Sequence, residues 1–378
     1  MLKSYEICNF KSFKNKTVID LTKTSYDSLS DQNTSGDILK GVLFVGANAS
    51  GKSNAVIAVK FLLDLLFKNE ETGIQMYRCL FSPDPQIQMK YNFFVNGSEI
   101  VYTVSFFCKK PYSVKELLTV DGIDVLERDG NYAKVNITEP AEHHDVSEEI
   151  LFLREVYFST KFRGNQTLQR WFKELSSSVY LDLYKEEIDS YSSAKLDTDK
   201  YLEANGEDRI NDFFEKYHFD QLITYSEHAM GSRVRFDSDK KSIFFKRYSI
   251  SEPIPAGFES IGNQNLIRLL PVFFHCLDNN GILLLDEFSS GFHNDLEEML
   301  VQYFMRKSKN AQLIFVSHST NLLTNRLLRP DQIYAVDFDE NGSRLNRFSN
   351  EDPRPAQNIE KMYLSGRFDG VPRYGHNS

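Results

Sequence analysis

Two hydrophobic rhythms divide the chain. A period of two, the mark of half-buried strands, runs through Ser4–Phe10 and Thr17–Leu21 and returns at Gln86–Val95, Glu99–Phe107, Val114–Val120, Ile123–Arg128 and Tyr132–Ile137. The dipeptides Asn96-Gly97, Asp121-Gly122 and Asp129-Gly130 punctuate these last five runs. They supply the positive φ angles of tight hairpins, so an antiparallel meander is predicted. Between the two sets, the polar loop Thr22–Asp37 leads into an unbroken apolar run, Val42–Val45, and then a helix-ready segment, Asn54–Leu66. After the meander Thr138–Glu149 reads as a linker. Helical segments dominate from Glu148 to His218, for example Gln166–Leu175 and Ile210–Tyr217, and strand-like runs resume at Leu222–Tyr225, Arg233–Phe236 and Ser242–Tyr248.

The last third alternates in the α/β manner. It reads as helix Asn265–Leu277 across Pro271, strand Ile282–Leu285, helix Asp295–Lys307, strand Gln312–Val316, helix Thr320–Leu328 and strand Gln332–Phe338. The expected class is α/β, divided into a first lobe with the meander (1–145), a helical insertion (146–219) and a second lobe (220–378). No repeat or sustained heptad appears, so no long coiled-coil arm is expected.

Composition narrows this picture in a few places. With 378 residues, 41% hydrophobic and 26% charged, the chain has material for one large or two moderate cores. Its 30 Phe and 19 Tyr fall mostly in the alternating runs and read as core. An excess of 53 acidic over 44 basic residues, net −9, disfavours a nucleic-acid-binding surface spread over the whole molecule. Lys240, Lys241, Lys246 and Arg247 read as a solvated hairpin face. Cys8, Cys79, Cys108 and Cys276 lack C-x-x-C spacing and read as reduced, buried thiols. His143-His144-Asp145 sits in an acidic loop poorly suited to fixing metal geometry. The polar start, Met1–Phe13, is unlike a secretory signal, and runs such as Phe61–Phe67 are too short for a bilayer. A cytoplasmic location without membrane association is expected.

The chemistry is concentrated after Val42–Val45. Gly46-Ala47-Asn48-Ala49-Ser50-Gly51-Lys52-Ser53 is G-x-x-x-x-G-K-S between a strand and a helix. Successive backbone N–H groups at a helix N-terminus wrap a phosphate chain, Lys52 reaches the β- and γ-phosphates, and Ser53 sits on Mg²⁺. The expected binding set is Gly46, Asn48, Ser50, Gly51, Lys52, Ser53 and Asn54, and the expected ligands are ATP and Mg²⁺. Hydrolysis needs more. Ile282-Leu283-Leu284-Leu285-Asp286-Glu287 ends a buried strand in two acids: Asp286 for the Mg²⁺ shell, Glu287 to orient the attacking water. One βα unit later, Gln312–Ser317 ends in His318, placed to contact the γ-phosphate. Glu259-Ser260-Ile261-Gly262-Asn263-Gln264 precedes a helix and offers the Ser260 hydroxyl and the Gly262 backbone to a phosphate. A chain of this class does not bring that segment onto its own P-loop, so a homodimer or higher oligomer is expected.

The order of these four elements resembles the ABC-class ATPase heads of the SMC, Rad50 and RecF type. Asn9-Phe10-Lys11-Ser12-Phe13 matches that clade's opening motif N-F-[KR]-S-F. Among these, the chain looks most like the arm-less AAA_15/AAA_21 ATPases of bacterial anti-phage and abortive-infection modules. The segments Ser317–Leu323, Arg329–Tyr334 and Tyr363–Phe368 carry that likeness, and the stretch from Thr138 to Phe219 matches loosely. The resemblance implies an ABC-type head and a sandwich dimer. In it the Ser260/Gly262 signature of one chain completes the other's site, and Ser289–His293 forms the D-loop. It also implies a separate effector subunit, typically a nuclease. The family commonly has Thr at Asn263 and G-R-F/Y-G where this chain has Gly366-Arg367-Phe368-Asp369-Gly370. Gln75, Gln86 and Gln88 are the candidates for its Q-loop glutamine.

Two other readings follow from the residues. The opening motif also fits a RecF/Rad50-like repair ATPase that clamps DNA, against which stand the acidic balance and the missing arms. Asp337-Phe338-Asp339 superficially resembles a Toprim nuclease D-x-D, but only about forty residues follow it, and Glu340-Asn341-Gly342 reads as a hairpin turn.

Overall fold

The computed structural model describes residues 1–69, 73–137, 139–148, 150–192, 196–227, 241–354 and 356–371. The expected strand Arg233–Phe236 and Lys240 lie outside them. Among the described residues, two large sheets carry the architecture. The first is antiparallel and eight-stranded, in the spatial order Pro140–His143, Tyr132–Asn136, Ile123–Asp129, Ser113–Val120, Ser98–Phe107, Gln86–Val95, Leu2–Cys8, Thr17–Asp20. The predicted hairpins are present, with Asn96 and Gly97 at φ 59° and 84° and Asp121 and Gly122 at 50° and 78°, the left-handed pair that matches the twist of the flanking strands.

The second sheet has seven strands in the order Glu187–Ser190, Val179–Asp182, Ile282–Asp286, Gln312–Val316, Gly41–Gly46, Ile333–Asp339, Gly342–Arg347. Its five inner strands are parallel and both edges antiparallel. The inner strands are mainly apolar because both faces are covered, with polar residues confined largely to the strand ends. Val42, Phe44, Leu284 and Val316 join one core, shared with the helix Lys52–Phe67 and the antiparallel sheet. Leu43, Val45, Leu285 and Phe315 join a second, shared with helices Ile261–Asn279 and Asn294–Lys307. The helix Lys52–Phe67 is seated on the antiparallel sheet by two buried tyrosines, whose hydroxyls donate to Ala55 O (Tyr5, 3.0 Å) and Ala58 O (Tyr91, 2.7 Å). The helix expected at Asn265–Leu277 begins earlier, at Ile261, and passes through the buried Pro271.

Three expectations are corrected. The stretch 146–219 is not helical throughout, since Val179–Asp182 and Glu187–Ser190 are strands of the central sheet. Val179, Tyr180, Leu181 and Asp182 are all buried, and so short an apolar run has no period that separates strand from helix. Pro140–His143, read as linker, is the outermost strand of the antiparallel sheet; proline is tolerated there because it opens an edge strand that needs no further donor. Thr320–Leu328 is not an α-helix but a short 3₁₀ turn, Thr320–Leu322, followed by further turns. Its polar side chains bond outward, Thr320 to Glu360 (2.7 Å) and Asn321 to Asn294 O (3.2 Å), and Asn33 reaches the Leu327 carbonyl (2.9 Å). Such bonds compete with helical ones.

The segments that carry the family likeness near the C-terminus are structural here. Arg329 and Asp331 form a fully buried pair (2.8 Å) that also holds Ser28 O and the Thr24 N–H. Phe368 stacks on Phe348 with centroids 3.9 Å apart.

Candidate functional site

The strand Gly41–Gly46 ends in a loop whose left-handed residues turn it back to the helix starting at Lys52: Gly46 at φ 155°, Ala49 at 61°, Gly51 at 104°. A Cβ on Gly46 would collide with the Val336 carbonyl, so the neighbouring strand requires glycine there. Lys52 is buried, and its ammonium donates to the carbonyls of Gly46 (3.0 Å) and Ala47 (2.7 Å). Burial lowers its pKa, while the charges of Glu287 and Asp286 oppose that fall.

The parallel strand Ile282–Asp286 delivers Asp286 beside the loop, where Oδ1 accepts from the Ser53 hydroxyl at 3.0 Å. Burial raises the Asp286 carboxyl to about 6, Asp182 and Glu287 push it the same way, and the Ser53 hydrogen bond resists. A buried carboxylate so ill at ease with its own charge, touching a hydroxyl at the mouth of a phosphate loop, suits a divalent cation. No cluster of three or more His, Cys, Asp or Glu that could hold a metal occurs among the described residues. Mg²⁺ would therefore take its other ligands from phosphate and water, which fits Ser53 and Asp286 as the protein's share.

Glu287 follows in a left-handed conformation, φ 52°. Such backbone is costly for a non-glycine residue and collects at functional sites. Its carboxylate lies 3.7 Å from His318 Nε2. Burial lowers the His318 pKa, the Lys52 charge adds to this, and Glu287 partly offsets it. The ring is therefore neutral near pH 7, with one N–H to offer. Lys52, Ser53, Glu287 and His318 line one cavity of about 870 Å³ with Asn48, Gly51 and Asn54. Ser50 lies behind it, its buried hydroxyl unpartnered.

Ser260 and Gly262 are not in that cavity. Ser260 is exposed and caps the helix Ile261–Asn279, accepting from Asn263 N at 3.3 Å. Gly262 packs so closely on the Gly291 carbonyl that a Cβ would collide with it. Exposed apolar residues flank this helix end, with Phe258 at 72%, Ile261 at 67% and Tyr248 at 68%.

Some residues the sequence reading passed over belong to these sites. Asp182 is buried and in register with Asp286 on the adjacent parallel strand. It also anchors a turn by accepting from the N–H groups of Tyr184 (3.0 Å) and Lys185 (2.9 Å). That turn places Tyr184 in the P-loop cavity, whereas Gln75, Gln86 and Gln88 do not line it. The available signal was Tyr180-Leu181-Asp182, an apolar run ending in an acid like Leu284-Leu285-Asp286. Arg247, read as solvated, instead binds both oxygens of the buried Glu259 (2.8 and 2.7 Å). Asn263 holds the same carboxylate (2.8 Å) and pairs reciprocally with Gln221 (3.1 Å each way). Burial raises the Glu259 pKa, but the bonds from Asn263, Arg247 and Ser260 N outweigh it and leave it lowered. Asn263 thus has a local reason to stand where the family commonly has Thr.

Fold and site together define a P-loop ATPase head of the SMC/Rad50-like ABC type. The chain belongs to the AAA_21 family, described as "AAA domain, putative AbiEii toxin, Type IV TA system", whose model matches residues 42–324. Among solved structures it is similar to an SMC head bound to the C-terminal winged-helix domain of ScpA (TM-score 0.50, 16% identity, covering 91% of this chain and 96% of that one). It is also similar to an Smc head with an extended coiled coil, bound to a ScpA C-terminal domain derived from Pyrococcus furiosus (0.50, 14%, 91% and 95%). The SMC head domain from Thermotoga maritima aligns at 0.48, 16% identity, 91% and 97%. At these identities the likeness is one of fold. No curated protein matches. No helix among the described residues is long and apolar enough to cross a membrane.

Proposed function

We propose that this ATPase is a two-state switch in which two copies enclose two ATP molecules. Each ATP lies between the Lys52/Ser53/Asp286/Glu287/His318 cavity of one chain and the Ser260/Gly262 helix end of the other. One observation carries the reading: Lys52, Ser53, Glu287 and His318 line one cavity, with Asp286 beside it on the Ser53 hydroxyl, whereas the signature residues lie outside it, where Ser260 caps an exposed helix end flanked by Phe258, Ile261 and Tyr248. Exposed aromatic and aliphatic side chains around a polar centre are what a protein interface buries.

Bound Mg²⁺ would draw charge from the phosphate oxygens. Lys52 exchanges its two loop carbonyls for phosphate, and the Gly51 and Lys52 N–H groups add the helix-end field. Glu287 orients and deprotonates water, and neutral His318 donates toward the γ-phosphate. Moving a closing equilibrium from 1:99 to 99:1 takes about 5.5 kcal/mol. A few charge-assisted bonds of about 1.5–3 kcal/mol each, present only when the second chain reaches the phosphate, are enough. Hydrolysis removes the group both chains hold, and the pair opens. In a bacterial defence module this cycle would hold or release a separate effector, a nuclease by analogy with the family, in the cytoplasm. The test is light scattering with Mg·ATP. Glu287→Gln is expected to accumulate dimers and hydrolyse about 10²–10⁴-fold more slowly; wild-type hydrolysis in that variant refutes the assignment of Glu287.

The DNA-clamp alternative is weaker. The open face of the antiparallel sheet carries paired charges, Lys3–Glu99 (2.9 Å), Lys16–Glu6 (2.6 Å) and Lys115–Asp129 (2.8 Å), not an unopposed basic stripe. ATP-stimulated, salt-sensitive DNA binding by the isolated protein would reinstate it. Asp337 and Asp339 lie on a hairpin beside Arg344 (3.8 and 3.1 Å), outside the cavity, and take no part.

A further inference from the structure

We infer that Ser12 and Ser343 form a hydroxyl clasp that orients the Gly51 N–H of the P-loop, making both positioning residues for the nucleotide. The inference rests on reading the P-loop cavity as the triphosphate site. Ser343 lies on the edge strand Gly342–Arg347, 293 positions from the loop residue it touches. Its Oγ is 2.6 Å from the Ser50 carbonyl oxygen and 2.6 Å from Ser12 Oγ, and Asn54 Nδ2 donates to Ser12 Oγ at 2.7 Å. A hydroxyl has one proton, and a carbonyl can only accept. The chain therefore has one direction: Asn54 to Ser12, Ser12 to Ser343, Ser343 to Ser50 O.

The consequence follows from peptide geometry. In a planar trans peptide the C=O and the following N–H point in opposite directions. Ser343 fixes the Ser50 carbonyl on the outer side, so the Gly51 N–H is turned to the inner side, where Gly51 lines the cavity. Water is a poor substitute, because Ser343 is only 4% exposed. The partners are rigid: Ser343 N donates to Ser12 O at 2.7 Å, and Phe10 and Phe13 exchange backbone bonds of 2.9 and 2.8 Å around the Ser12 turn. Gly51 is at φ 104°, and a Cβ there would drive into both hydroxyls. Glycine at 51 therefore makes room for the clasp as well as for the phosphate.

The experiment measures ATP turnover and fluorescent-nucleotide affinity on full-length Ser343→Ala, Ser12→Ala and the double variant, with Lys52→Ala as control. Ser343→Ala is expected to raise KM and Kd about tenfold, with kcat at saturation within about twofold. Ser12→Ala is expected to move KM the same way by about threefold, and the double variant to match Ser343→Ala alone, since the bonds act in series. A purely structural role predicts lower melting temperature and kcat with KM unchanged, and that result overturns the clasp. If Ser343→Ala does not fold, an unchanged KM in Ser12→Ala overturns it instead. Should Lys52→Ala bind nucleotide like wild type, the triphosphate reading itself fails; loss in Lys52→Ala with no KM change in the serine variants removes the clasp alone.

Discussion

The two halves of the proposed ATP site are built in opposite ways. The P-loop side is enclosed at its base, though Asn48, Ala49 and His318 at its mouth are exposed: Lys52 is buried, Ser53 meets Asp286, His318 stands 3.7 Å from Glu287, and the loop is packed against Val336 and Ser343. The signature side is braced from behind, by Arg247, Gln221 and Asn263 around Glu259, yet its working edge at Ser260 is exposed among Phe258, Ile261 and Tyr248. One side is preorganised around charge and the other is held ready for a surface. Rigid support under an uncovered polar centre is how a group that acts on a partner's substrate is kept in register.

This contrast can be broken most forcefully at Lys52. Lys52→Ala removes a buried cation from the enclosed side, and nucleotide affinity measured by fluorescence is expected to fall at least about 100-fold, equivalent to roughly 3 kcal/mol. At the uncovered side, Phe258→Ala with Ile261→Ala is expected to leave single-chain nucleotide binding intact while weakening ATP-dependent dimers by about 1–3 kcal/mol, read by analytical ultracentrifugation. Equal loss of nucleotide binding at both sides would erase the distinction.

A smaller effect sharpens the electrostatic half of the comparison. Burial pushes the Asp286 carboxyl up from its ordinary 3.8 to about 6 in the fold. Its folded pKa is raised, so the fold binds the proton more tightly than the unfolded chain does. The contribution of this group to stability is therefore greatest below about pH 4 and is lost as pH rises through 6, by up to about 3 kcal/mol. Without Mg²⁺ or nucleotide, Asp286→Asn should melt higher than wild type at pH 8 and lose that advantage near pH 4. No pH dependence in the difference would mean that Asp286 is at ease as an anion without a cation.

What could be read in the sequence follows from distance along the chain. Gly46–Asn54, Asp286-Glu287 and His318 are each local candidates, marked by a strand end and the next few residues, and Ser260–Gly262 is marked by a short polar run before a helix. The strands Gly41–Gly46, Ile282–Asp286 and Gln312–Val316 were legible because long apolar runs alternate with helices. Asp182 and Tyr184 were hidden because the four-residue strand that ends in Asp182 acquires its identity only by pairing with Ile282–Asp286. Arg247 looked solvated because its partner, Glu259, arrives across a strand and a turn. Ser343 was invisible for the same reason on a larger scale. At Thr320–Leu328 helical spacing of leucines was present, but tertiary bonds from Thr320 and Asn321 overrode it.

Mixing two inactive variants tests the proposed shared site most directly. Lys52→Ala lacks the enclosed half and Ser260→Arg blocks the uncovered half, so each alone should be inactive. A mixed pair regains one intact site, made from Asp286 and Glu287 of the Ser260→Arg chain and Ser260 of the Lys52→Ala chain. With random pairing, equimolar mixtures should recover about a quarter of wild-type ATPase activity per chain. A mixture that forms dimers yet stays inactive, or a Ser260→Arg protein that hydrolyses ATP fully by itself, would show that each chain completes its own site.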